Sequence, residues 1–220
     1  MSPFWSIIER VNLHASNKQE YLLALHEELI TLSPQELVSY QLELRKHYTN
    51  LYTTKLWYTA VVIMDSCSDD GFIDFRCWVI SKGKEIYEEV SANPDALHKY
   101  LVNKIDYSYS FEDFMYAASG AYFELAEKDI YLDPAFNGQT MSFKDIPDID
   151  FSLDHHSEDV ASTICPTVYA MVSENVRAFR KEYFEKMQKP DFSEDGKLDR
   201  ELYSKLVDKY SVSDHLTMKW

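Results

Sequence analysis

Four consecutive residues, Ser33-Pro34-Gln35-Glu36, leave the chain little choice of backbone at that point. The serine hydroxyl can accept the first free amides of a helix. Proline at the first helical position gives up only an N–H that would lack a partner, and glutamate three places on closes a capping box. Leu37, Tyr40, Leu44, Tyr48 and Leu51 then step by three and four along one apolar face. The same grammar recurs. Asn17 with Glu20 precedes Leu22, Leu25, Leu29 and Leu32, and Asn93-Pro94 precedes Leu97, Tyr100 and Leu101. Ser110 is placed to cap Phe111, Phe114, Met115, Ala118, Tyr122 and Leu125. Trp57, Ala60, Val61 and Met64 keep helical spacing, although Val61-Val62-Ile63 also fits a short buried strand.

The period fails between residues 131 and 154, where Pro134, Asn137-Gly138 and Pro147 predict a long loop. It returns after Pro166 with Val168, Val172, Val176, Phe179, Tyr183 and Met187. A break at Lys189-Pro190 leads to a final short helix carrying Leu202, Leu206 and Tyr210. Five glycines in 220 residues leave few turns for a many-stranded sheet. The expected fold is therefore all-α: a compact multi-helix domain with one long irregular loop and a C-terminal helical extension. Residues 1–130 form its core, and residues 131–220 (loop, long helix, short helix) pack on the same domain.

Charge narrows the range of partners. Residues 1–64 hold 6 acidic and 5 basic side chains, residues 65–165 hold 21 and 7, and residues 166–220 hold 10 of each. Nearly all of the net charge of −15 thus sits in the middle. Such a field repels phosphate backbones and anionic lipid and attracts basic proteins, so neither nucleic acid nor membrane is expected as a partner. The apolar run Leu56–Met64 is far shorter than the roughly 20 residues a spanning helix needs. The start, MSPFWSIIER, has neither a basic opening nor an apolar core of the secretory kind. Cys67, Cys77 and Cys165 are odd in number and lack CxxC spacing, which suits a reduced, cytoplasmic setting.

Motifs that carry chemistry are faint. Two stretches approach a calcium loop, residues 66–77 and 191–202, but Cys77 and Leu202 stand where a bidentate glutamate belongs. The second is the better match, with Asp191, Ser193, Asp195, Gly196, Leu198 and Asp199 in place. In DHHSED, His155 and Asp159 would share a helix face, a ligand spacing without a visible third ligand; His156 would point elsewhere. Cys165 before Pro166 could be a thiol at a helix start, although a buried structural cysteine is the commoner case. No glycine-rich phosphate loop and no GxSxG occurs. No metal and no cofactor is expected.

The stretch SCSDDGFIDFRCWVI, residues 66–80, remains. As a helix it would send Phe72, Phe75 and Val79 inward with Trp78 at their border. Asp69, Asp70 and Asp74 would line its first turns, where the helix dipole favours them, and Arg76 would pair with one of them or with Glu85. Together with Phe4-Trp5, Ile7 or Ile8, Ser33-Pro34-Gln35-Glu36, Leu56-Trp57, Gly83, Tyr87, Glu88 and Pro94-Asp95-Ala96-Leu97, it resembles a bacterial domain-of-unknown-function family, the one numbered forty-two forty. The family signature reads DDxFxDFRxWLIxxGxxxYE, with Val79 here at its leucine. The resemblance spans about residues 3–125 and implies a helical bacterial domain without an established activity. Asp70, Asp74 and Arg76 are the motif positions that core packing explains least.

Two functional readings follow. The first is a non-enzymatic acidic binding module, an immunity or antitoxin-type protein that neutralises a basic partner such as a toxin. Its contact residues would be Asp69, Asp70, Asp74, Arg76, Trp78, Tyr107, Tyr109 and Asp113, carboxylates for association rate and aromatics for anchoring. The second is a small enzyme or metal-dependent hydrolase built on Asp69, Asp70, Asp74 and Arg76, with His155 or His156, which requires convergence on one concave wall. Calcium binding at residues 191–202 is a third possibility.

Overall fold

The computed structural model describes residues 3–64, 67–101, 109–136, 149–153 and 158–172, together with Glu182, Lys205 and Lys209. Tyr107, His155, His156, the middle of the long loop, the seam beyond Val172 and the stretch 191–202 lie outside these residues. Seven helices form the body: α1 (Phe4–His14), α2 (Lys18–Leu29), α3 (Pro34–Asn50), α4 (Thr54–Met64), α5 (Asp69–Ser81), α6 (Lys84–Ala92) and α7 (Glu112–Ala126). A 3-10 turn at Pro94–Lys99 follows α6, and two more, Ile130–Leu132 and Pro134–Phe136, follow α7. Then come α8 (Glu158–Ile164) and a further helical stretch at residues 166–172. No strand occurs among the described residues, and none of their helices is long and apolar enough to cross a membrane. The fold is all-α.

Local chemistry sets most boundaries. Ser33 and Glu36 form the full capping box, the serine Oγ accepting from the Glu36 amide and the carboxylate accepting from the Ser33 amide. Asn17 accepts from the Glu20 amide, and Glu20 reaches back to the amide of Ser16. At the end of α5 the chain turns directly into α6 through Gly83, whose φ of 105° only glycine adopts without strain.

Helix α7 is the centre of the packing, flanked by α3, α2 and α5. Its inner face is Phe114, Ala118, Ala121 and Tyr122, all buried, while Leu125 is 46% exposed and so lies off the predicted seam. The segment Val61-Val62-Ile63 belongs to helix α4 rather than to a strand. That helix buries Leu56, Trp57, Tyr58, Thr59, Ala60, Val61 and Ile63, and burial on nearly all sides erases the polar face that would have declared its period. Ser110 does not cap α7 either; Phe111 holds the cap position without a side-chain bond, and the serine is engaged elsewhere. The predicted helix after Asn93-Pro94 is a single 3-10 stretch, with Asn93 Oδ1 accepting from the Asp95 amide.

The chain beyond α7 rejoins this core. The Tyr58 hydroxyl lies 3.0 and 2.8 Å from the carbonyls of Asp150 and Leu153, and Phe151 meets Trp57 edge-on at 5.2 Å. Helix α8 packs on α4. Asp95, only 9% exposed, accepts from the amides of Thr167 and Val168, each at 2.9 Å, and thereby caps the helical stretch that begins at residue 166.

Candidate functional site

Helix α5 organises the region that the sequence singles out. Ser68 Oγ accepts from the Gly71 amide at 3.1 Å, so residues 69–77 of the first calcium-like stretch are helix rather than an ion-binding loop. From that start, positions four apart form two opposed stripes. One carries Asp70, Asp74 and Trp78; the other carries Phe72, Arg76 and Ile80.

Asp74 ties α5 to α7. Its carbonyl accepts from the Phe111 amide at 3.1 Å, and its Oδ2 accepts from the Ser110 hydroxyl at 3.2 Å. Partial burial raises its pKa above the usual aspartate range; the Ser110 bond opposes this, Asp70 adds to it, Lys18 opposes it and Asp113 adds to it. Asp70, Asp74 and Asp113 therefore share one electrostatic neighbourhood. Asp69, Asp70, Glu112 and Asp113 are exposed, and no lysine or arginine forms an ion pair with them among the described residues.

Trp78 sits deeper than the border position predicted for it, at 2% exposure. Its ring stacks on Phe75 at 5.7 Å and meets Tyr109 edge-on at 5.2 Å, with Lys82 Nζ 5.1 Å from its centre. These neighbours close over it, and its indole N–H has no acceptor among the described residues. Trp78 and Tyr109 line a cleft of about 220 Å³ between the α1–α2 junction, the end of α5 and the chain leading into α7. The Ser81 carbonyl below accepts from Asn12 Nδ2 at 2.9 Å and from the Tyr21 hydroxyl at 3.2 Å, which fixes α1 and α2 against α5.

Arg76 is on the other side. It is 3% exposed and pairs neither with Glu85 nor with the aspartates of its own helix. Nε donates to the Phe72 carbonyl at 3.1 Å, Nη1 to the Tyr48 carbonyl at 3.0 Å and Nη2 to the Tyr48 hydroxyl at 2.5 Å. The guanidinium lies 3.6 Å from the centre of the Tyr48 ring, with Phe72 and Tyr52 at 4.7 and 4.9 Å. Burial lowers its pKa, against the raising influence of Tyr48, Cys77 and Tyr52, and pushes the Tyr48 hydroxyl up to about 12. No carboxylate compensates this cation among the described residues, so tyrosine faces and carbonyls carry the load.

The family model described as "Protein of unknown function (DUF4240)" matches residues 1–124. The chain belongs to the DUF4240 family. No curated protein and no solved structure matches it. In this DUF4240 chain the predicted contact residues thus divide by face. Asp70, Asp74 and Asp113 come together, Trp78 and Tyr109 form the neighbouring aromatic wall, Asp69 is exposed at the helix start, and Arg76 is turned away into the core. Asp70 and Asp74 lie on the opposite stripe of α5 from Arg76, and none of Asp69, Asp70, Asp74 and Arg76 lines this cleft. Among the described residues no group of three or more His, Cys, Asp or Glu could hold a metal. Cys165 is buried, its thiol pushed up to about 11 chiefly by burial, which disfavours the thiolate a nucleophile requires. Lys18, Lys82, Asn12, Tyr21 and Ser81 of the cleft carry no motif; they meet only because separate helices bring them together.

Proposed function

We propose that this DUF4240 chain is a non-enzymatic binding module that receives a basic protein on the acidic edge where α5 and α7 begin. The supporting observation is that Asp74, whose pKa is raised first by partial burial, is also within electrostatic reach of Asp70 on its own helix and Asp113 on α7, so carboxylates from two helices act on one patch. Exposed Asp69 and Glu112 extend the patch, and Tyr109 stands beside it as a rigid anchor. Clustered unpaired charge of one sign accelerates encounter with the opposite sign and makes association strongly salt-dependent. An immunity-type role, holding a basic toxin inactive, is one use of such a patch. The dispersal of Asp69, Asp70, Asp74 and Arg76 over both sides of α5 gives an enzymatic reading less support.

The test is association of the full chain with basic proteins encoded beside it, measured by surface binding at two salt concentrations. The variant Asp70→Asn/Asp74→Asn/Asp113→Asn should slow association by about tenfold or more and flatten the salt dependence. Equal on-rates for the two proteins, or no complex with any basic neighbour, would overturn the proposal.

A further inference from the structure

We infer that the outward face shared by α2 and α7 is the seat of a cationic amphipathic helix presented by the partner protein. This deepens the reading of the acidic edge and rests on it: that reading supplies a basic protein, and the α2–α7 face selects the part of it that docks. Tyr116, Gly120, Phe123 and Glu127 follow one another at helical spacing along the outside of α7, opposite its buried stripe of Phe114, Ala118 and Ala121. Leu23, His26 and Ile30 do the same on α2. His26 Nε2 lies 3.3 Å from a Glu124 carboxylate oxygen, which sets the two stripes side by side. Phe123 is 62% exposed, Leu23 60% and Tyr116 51%, and Ile30 is exposed with them. Single apolar residues are ordinary on any surface, but four gathered across two neighbouring helices mark a contact surface.

Along this face α7 departs three times from what a solitary helix favours. Gly120 sits in mid-helix, where glycine costs free energy relative to alanine. A methyl group there would meet no atom within 4 Å outside its own helix backbone and chain neighbours, so packing within the chain does not require the glycine. A bare backbone is what a second helix needs in order to come close. Glu124 stands in the last turn, where the helix dipole disfavours a carboxylate, and that turn holds no basic residue. Glu127 ends the helix in the left-handed conformation, at a φ of 51°, which glycine or asparagine usually occupies. Local rules broken together on one surface point to a site.

Charge names the occupant. Helix α7 carries Glu112, Asp113 and Glu124 and no basic side chain, Glu127 follows at its end, and Glu20 and Glu27 are exposed on α2. A second copy of the chain would set these carboxylates against their own kind, whereas lysines or arginines flanking an apolar stripe would meet them. Residues 116 to 127 span roughly 16 Å, three turns, which a partner helix covers with side chains at i, i+4 and i+7. Both elements are helices, so the face has no open backbone edge to which an extended strand could add.

The experiment is fluorescence anisotropy of a labelled peptide of about 18 leucines and lysines, arranged so that the leucines share one helix face, titrated with the full-length protein. It should bind with a Kd on the order of 10 μM. A peptide of the same composition with its leucines scattered around the helix should bind about tenfold more weakly, as should the amphipathic peptide to Tyr116→Ser/Phe123→Ser. Gly120→Gln should raise the melting temperature of the free chain, because glutamine favours helix over glycine, yet weaken the peptide about tenfold by filling the approach. Equal binding of the two peptides, or unchanged binding by either variant, overturns the inference. So does a dimer seen by sedimentation without peptide that Phe123→Ser dissolves, since the face then belongs to a second copy. A basic neighbour that associates with Tyr116→Ser/Phe123→Ser as with the parent sinks this inference and leaves the acidic-edge reading standing. A peptide that docks here while no basic neighbour is captured sinks that reading alone.

Discussion

At the scale of single residues, the most demanding group in the molecule is Arg76. A guanidinium at 3% exposure with no carboxylate beside it depends on the geometry of its donors and on the tyrosine face beneath it. Lysine cannot reproduce either, since its ammonium is compact, strongly hydrated and unable to stack. Arg76→Lys should therefore lower stability by about 2–3 kcal/mol in urea denaturation. A loss within experimental error would show that the arginine is not held as described. His47 makes a different prediction. It lies among Phe4, Trp5 and Tyr87, with ring centres 4.6 to 5.3 Å away. Burial lowers its pKa, Glu43 raises it, Lys46 lowers it and Glu88 raises it, with a net downward result. The unfolded imidazole protonates near pH 6.5 and the folded one resists, so its contribution is complete above that pH and lost as pH falls below it. Melting temperatures at pH 7.5 and 5.5 should differ more for the parent than for His47→Gln; identical differences would place a normal histidine there. Neither role was legible in the sequence. Arg76 lies three and six positions from Ile73 and Asp70, and a charge beside aspartates reads as an ion pair until tertiary structure supplies Tyr48.

At the scale of elements, legibility follows the range of the forces involved. The starts of α2 and α3 were readable because a cap and its target lie three residues apart. The start of α7 was misread because Ser110 looks like a cap but finds Asp74, 36 residues away, within reach. The PDAL element shows the converse. Asp95 seems to serve its own short turn, yet its carboxylate accepts from two amides more than 70 residues downstream. Asp95→Ala would leave those amides, that of Val168 buried, without their acceptor and should cost about 2–3 kcal/mol, measured by chemical denaturation. Asp95→Asn retains an acceptor and should cost about half as much or less. Equal losses for the two variants would mean that the contact matters through packing and not through its hydrogen bonds.

At the scale of the molecule, the all-α architecture could be read from stripes and caps, because each helix advertises the face it buries. The acidic edge was half legible: the concentration of charge in residues 65–165 was countable, but only the approach of α7 to α5 joins Asp113 to Asp70 and Asp74. The cleft was invisible, since its wall is assembled from single residues on separate elements. The cap from Asp95 also bears on how this protein is to be produced in the laboratory. The family match ends at residue 124, whereas Ile149, Cys165 and Val168 fill the same core and the amides of Thr167 and Val168 hold the other end of Asp95's bonds. A fragment trimmed to residues 1–124 should melt well below the full chain and aggregate through the uncovered side of α4, as calorimetry and light scattering would show. A gene designer who cuts where homology stops would be cutting through the folding unit.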